Sequence, residues 1–159
     1  MHIACDLGRH EIVAELLSHR VELDLQDCFQ SSALIRCFVP FASSVGKRFA
    51  SSDVPAPRSC CANHFQCAEL LVKAGADVNL ADDTSSTALH YAVLTLVEDQ
   101  SKSNYFNALN MVKLLVISGA NKSAKNASLH SPLNIANAAP CPDTNLVDIL
   151  THSSDPLHS

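Results

Sequence analysis

Four stretches of the chain repeat one another, and the distances between equivalent residues share one unit length. Met1 and Leu34 hold equivalent places 33 residues apart. Leu34 and Leu89 lie 55 apart, which is 33 plus 22, and Leu89 and Leu133 lie 44 apart, which is 33 plus 11. Glu15, Glu69 and Lys113 repeat the pattern at 54 and 44. The chain is therefore read as 33-residue units interrupted twice. A unit that short cannot bury its own apolar face, so neighbours stack and share an interior, and such stacks usually act through their surface.

Each unit divides into two helices. The second carries apolar residues at helical spacing: Val13, Leu16 and Leu17; Cys67, Leu70 and Leu71; Met111, Leu114 and Leu115; Leu146, Ile149 and Leu150. Ahead of the first helix, Thr87 and Ser131 are N-cap residues, and Pro132 suits the first helical position. Small Ala4, Ala92 and Ala136 let the next helix approach closely. Gly75 and Gly119 follow the second and third stripes, where a left-handed residue ends a helix at little cost. Arg20 holds that place in the first unit, at an expected cost of up to about 1 kcal/mol.

The strings Thr87-Ala88-Leu89-His90-Tyr91-Ala92, Ser131-Pro132-Leu133-Asn134-Ile135-Ala136 and Gly75-Ala76-Asp77-Val78-Asn79 resemble the ankyrin-repeat family over nearly all of residues 1–150. The resemblance implies an all-α ankyrin-repeat solenoid of helix-turn-helix units joined by short β-hairpins. The units run 1–29, 30–82 with an insertion at 38–60, 83–126 with an insertion at 97–106, and 127–150, followed by a disordered tail at 151–159. It also implies that His2 and His90 brace the stack through neighbouring backbone, with His10 and His64 in a second structural place. The family builds its hairpins on D-x-x-G-x-T. Here Asp27, Asp82 and Asn126 keep the first place, but Gln30, Ser85 and Leu129 replace the glycine, so looser or differently shaped tips are expected.

The same resemblance implies a non-catalytic protein-interaction module, and composition agrees with it. A net charge of −5 argues against nucleic acid and acidic membrane surfaces. No apolar run is long enough for a membrane span. Without a secretory leader, and with an odd number of cysteines, three of them (Cys5, Cys37, Cys67) at helical repeat positions, the expected setting is the cytoplasm or nucleus. The first unit starts inside its first helix, which reads as a fragment or an alternative start. No nucleophile sits beside a base in any known pattern, and four scattered glycines make no phosphate loop, so an enzyme is not expected and no cofactor is assigned. A monomer is expected.

The partner is expected to be another protein, held by the hairpin tips and the adjoining first-helix face. Positions that vary freely in the family fall on Cys28, Phe29 and Ser31; Asp83, Thr84 and Ser86; Leu94 and Thr95; and Ala127, Ser128 and His130. Phe29, read as exposed, is the anchor candidate, and the alternative is that it simply covers the next hairpin. Charge along the edge runs from acidic (Asp24, Asp27, Asp77, Asp82, Asp83) to basic (Lys122, Lys125). Two further readings stand beside this one. The last two units, 83–126 with its insertion between the helices and 127–150 with Ser131-Pro132-Leu133 and Cys141-Pro142-Asp143, resemble the end of the ankyrin array in mind bomb-type ubiquitin ligases, which implies a substrate- or adaptor-binding segment without its RING domains. The Cys60-Cys61…His64…Cys67 cluster, with Cys37, offers zinc-type ligands, although the repeat register turns Cys67 toward the core.

Overall fold

The computed structural model describes residues 1–38, 64–98, 102–139 and 144–151. Eight helices lie within them: α1 (His2–Asp6), α2 (His10–Ser18), α3 (Ala33–Arg36), α4 (Phe65–Lys73), α5 (Ala88–Glu98), α6 (Lys102–Ile117), α7 (Pro132–Asn137) and α8 (Thr144–Thr151). The first helices form one row, α1 against α3, α3 against α5 and α5 against α7. The second helices form another, α2 against α4, α4 against α6 and α6 against α8. The result is an all-α repeat fold in which each helix pair is covered by its neighbours.

The apolar stripes account for the interior. Val13, Cys67, Met111 and Leu146 are all buried, as are Leu71, Leu115 and Leu150 one turn later. Leu16, Leu17, Leu70, Leu114 and Ile149 are half-buried and pack onto the same continuous core. Ala4, Ala92 and Ala136 are buried where the rows meet. Helices α5 and α6, with 11 and 16 residues, outrun the nine of α2 and α4. Together they cover 97–98 and 102–106 of the stretch read from the sequence as an insertion. Phe38 is buried at the end of α3. The rest of the 38–60 insertion, with Phe41 and Phe49, and Cys141-Pro142-Asp143 and residues 152–159 lie outside the described residues.

Helix ends follow the expected chemistry. Ser131 makes a capping box: its hydroxyl accepts from Asn134 N–H at 3.2 Å while Asn134 Oδ1 accepts from Ser131 N–H at 3.1 Å, with Pro132 following. Ser32 caps α3 by accepting from Ile35 N–H at 3.3 Å. Gly75 and Gly119 are left-handed, with φ of 92° and 89°, and Arg20 takes the same conformation at 53°.

Gly8 ends α1 at φ 66°, and a Cβ there would meet His64 Nδ1 at 2.2 Å. His64 Nε2 bonds the Asp6 carbonyl oxygen at 3.2 Å, so that ring ties the second pair to the first. Gly8→Ala is expected to combine left-handed strain with loss of this bond and cost about 2 kcal/mol. A urea titration checks this, and an unchanged midpoint would refute it.

Candidate functional site

Three turns join the helix pairs, and all three are built alike. The side-chain Oδ1 of Asp27, Asp82 or Asn126 accepts the N–H of the residue two later (Phe29, Thr84, Ser128) and four later (Ser31, Ser86, His130) at 2.8–3.1 Å. The backbone closes the same turn, with Gln30, Ser85 and Leu129 N–H donating back to its first carbonyl at 2.8–2.9 Å. Gln30, Ser85 and Leu129 adopt φ of 55°, 57° and 61°. The expectation of looser tips is thereby corrected. The Asx carboxylate or amide fixes the turn, and the residue in the glycine place follows it into left-handed space. The expected β-hairpins are also reduced: among the described residues no strand forms, only the isolated bridges Gln26↔Ser32 and Ala81↔Thr87.

The second oxygen of each Asp is tied to the helix that follows its turn. Asp27 Oδ2 pairs with Arg36, whose Nε donates at 2.7 Å and whose Nη2 makes a second short contact. Arg36 is 2% exposed, and its guanidinium lies over the Phe29 ring at 5.5 Å from the centroid. Burial works to raise the Asp27 carboxyl, but Arg36 and the N–H groups of Phe29 and Ser31 outweigh it and hold the pKa below the ordinary value. In the next unit Tyr91 O–H donates to Asp82 Oδ2 at 2.5 Å. Burial first, and then the negative Asp82, push the Tyr91 phenol up to about 12. The donor stands nine residues after the acid both times. Where the turn holds neutral Asn126, the ninth residue is Ile135.

Neighbouring turns are stapled to one another. Asp83 N–H donates to the Phe29 carbonyl at 3.2 Å, and Ala127 N–H donates to the Thr84 carbonyl at 2.8 Å. His2 Nε2 bonds the Ser31 carbonyl at 3.1 Å, and His90 Nε2 bonds the His130 carbonyl at 3.2 Å. Below the tips, Asp24 Oδ1 accepts Asp77 N–H at 2.9 Å and Asn79 Oδ1 accepts Asn121 N–H at 2.7 Å. These links hold the three turns as one edge.

The sequence-derived contact residues divide along this edge. Cys28, Asp83, Thr84, Ala127, Ser128 and His130 are exposed. Ser31 and Ser86 are buried, at 4% and 6% exposure, and offer a partner almost no side chain because their backbone is folded into the turns. Leu94 and Thr95 are half-buried, and Thr95 Oγ1 is turned back to the Tyr91 carbonyl. Phe29, expected as an exposed anchor, is half-buried beneath Arg36. The acidic end is thinner than composition suggests, since Asp27 and Asp82 point inward and only Asp24, Asp77 and Asp83 are exposed. Leu129, expected only as a replacement for the turn glycine and not as a contact, is a left-handed tip residue at 73% exposure. Its place opposite Gln30 and Ser85 in the repeat was the available signal.

Cys67 is 1% exposed and faces the core, where burial pushes its thiol up to about 11, and His64 Nε2 is bonded to Asp6. Among the described residues no group of three His, Cys, Asp or Glu side chains could hold a metal ion, and Cys60 and Cys61 lie outside them. A depression of about 310 Å³ is lined by Gly8, His64, Phe65, Gln66, Cys67 and Asn107. Among the described residues no helix is long and apolar enough to cross a membrane.

Comparison with known proteins agrees with the geometry. The family of ankyrin repeats (many copies) matches residues 56–116. A 75-residue stretch, 47% of the chain, is 39% identical to inversin from Canis lupus familiaris and spans 6% of that protein. Neither match supports the narrower likeness to mind bomb-type ligases.

Proposed function

We propose that the ankyrin repeats matched at residues 56–116 extend through all four helix pairs, and that the row of turns is a docking edge for another protein. Ankyrin repeats generally serve protein–protein interaction, and the edge has the property such a role needs. Its turns are fixed by the same side-chain and backbone bonds and stapled tip to tip through Thr84 and Ala127, so little conformational entropy remains to be lost on binding. That shared, rigid turn geometry is the observation that carries the reading. The contacts fall to Cys28, Asp83, Thr84, Ala127, Ser128 and His130, with Phe29 supporting from beneath. The protein acts as a monomer in the cytoplasm or nucleus and performs no catalysis. The ligase-segment reading rests on the last two units, 83–126 and 127–150, and adds a process, not a different edge.

Asp83→Arg combined with Ser128→Arg places two bulky cations on exposed tip positions. Co-purification from cell extract is expected to lose the partners that intact protein retains, while Gln66→Arg, exposed on α4, keeps them. Equal retention in both variants would remove the edge from the mechanism, and equal loss would show a general defect.

A further inference from the structure

The last of the three turns is the least firmly held. Asn126 is a neutral acceptor where Asp27 and Asp82 are acids, and a carboxylate accepts the stronger bond. Arg36 and Tyr91 tie those two acids to the following helix, whereas Ile135 has nothing to donate. What joins the last turn to its neighbours is the Ala127 staple to Thr84 and the His90 bond to the His130 carbonyl. Local opening along the edge is therefore easiest here.

Ser128 sits on this turn, two residues after Asn126. It is exposed, and among the described residues its N–H is bonded while its hydroxyl is not. The equivalent Thr84 hydroxyl is engaged, donating to Asp82 Oδ1 at 2.7 Å and meeting Ser86 Oγ at 3.0 Å. In the first turn the place belongs to Phe29. Lys125 stands three residues before Ser128 and Lys122 six before. Among the described residues no other Ser or Thr has a Lys or Arg three places ahead of it, and no Asp or Glu occurs in the sequence between Asp99 and Asp143. Leu129 follows at 73% exposure.

We infer that Ser128 is a phosphorylation site for a protein kinase whose substrate groove is acidic. Carboxylates of that groove pair with Lys125 and Lys122, an apolar pocket takes Leu129, and the free hydroxyl meets the nucleotide. Such grooves hold the acceptor stretch extended, and the weak Asn126 bonds let the turn open to fit. Ser128 Oγ attacks the γ-phosphorus of ATP, the bond from that phosphorus to the β–γ bridging oxygen breaks, and ADP leaves. The hydroxyl proton passes to the kinase's carboxylate base. The product carries a charge of about −1.5 to −2 at pH 7, which offsets Lys122 and Lys125 and brings the basic end of the edge close to neutral. The modification does not depend on the edge being a docking surface.

The test uses the full chain with Ser51→Ala and Ser52→Ala, because Arg48 lies three residues before Ser51, treated with the catalytic domain of protein kinase C and magnesium ATP. One phosphate per chain is expected, mapped to Ser128 by peptide mass spectrometry and absent after Ser128→Ala. Lys125→Ala is expected to slow transfer about tenfold, the loss of one charge-assisted contact, and Lys125→Arg to preserve it. Access is tested apart from sequence reading. Asn126→Asp with Ile135→Tyr rebuilds the tie seen between Asp82 and Tyr91. It is expected to slow transfer severalfold relative to Asn126→Asp alone, which presents the same residues around Ser128. Ile135→Phe in that background lacks the hydroxyl and is the size control, and circular dichroism keeps every comparison within folded protein. No incorporation, phosphate on another residue, a rate indifferent to Lys125, or equal rates with Ile135→Tyr and Ile135→Phe would each overturn the proposal.

Discussion

Asp27→Ala is expected to be the most damaging single substitution at the turns, lowering stability by about 3–5 kcal/mol. The change removes the acceptor of Phe29 and Ser31 N–H and leaves Arg36, 2% exposed, without its carboxylate. A buried guanidinium that loses its Asp27 carboxylate costs more than the lost attraction, because its desolvation is then less fully offset. Asp27→Asn separates the two effects. An amide oxygen still holds the turn, as Asn126 does with Ser128 and His130, so only the ion pair is lost, at about 2–3 kcal/mol. Adding Arg36→Ile reproduces the Asn126 and Ile135 combination of the last pair and is expected to restore most of that loss. Urea midpoints of the three variants decide the matter. Asp27→Asn with wild-type stability would mean that Arg36 is content without its partner.

Acid is expected to loosen the third and fourth helix pairs through His90. This ring is 2% exposed. Its Nδ1 faces Thr87 N–H at 3.2 Å and Thr87 Oγ1 at 2.9 Å, while Nε2 faces the His130 carbonyl. A nitrogen that receives a backbone N–H carries no proton, so the tautomer is fixed with hydrogen on Nε2. Burial lowers the pKa below 6.5, outweighing the His130 and Ala124 carbonyls and Asp82, which favour the charged form. Between 6.5 and the folded-state pKa the unfolded chain binds a proton that the folded chain refuses. The stabilisation is therefore complete above about pH 6.5 and is lost as pH falls below it. His90→Asn keeps a capping acceptor like Asn134 but cannot reach His130. It is expected to cost about 2 kcal/mol at pH 7.5 and to flatten the fall in melting temperature below pH 6.5. A variant as pH-sensitive as the parent would place the titration elsewhere.

Much of this fold was legible from the residues. Val13, Cys67, Met111 and Leu146 announced the buried face because helical spacing and burial are local properties of one unit. Ser131 and Pro132 announced a helix start, and Arg20 its left-handed end, for the same reason. The turns were misread because a missing glycine was weighed more heavily than the Asp or Asn that precedes it by three. An Asx oxygen receiving two N–H groups outweighs left-handed strain of about 1–2 kcal/mol. Arg36 and Tyr91 escaped notice because their meaning appears only when units are compared: a donor follows an acidic turn, and Ile135 follows a neutral one. Phe29 was left open between an exposed anchor and a cover for the next hairpin, because no rule of spacing shows that a charged residue of the next helix will lie across its ring.

Because the Asx side chain dictates each turn, the residue at its outermost point is relieved of any structural duty. Gln30, Ser85 and Leu129 differ in size and polarity yet share one backbone shape. These three places therefore amount to a display panel, open to exchange by single substitutions that rewrite what the molecule shows without altering how it is built.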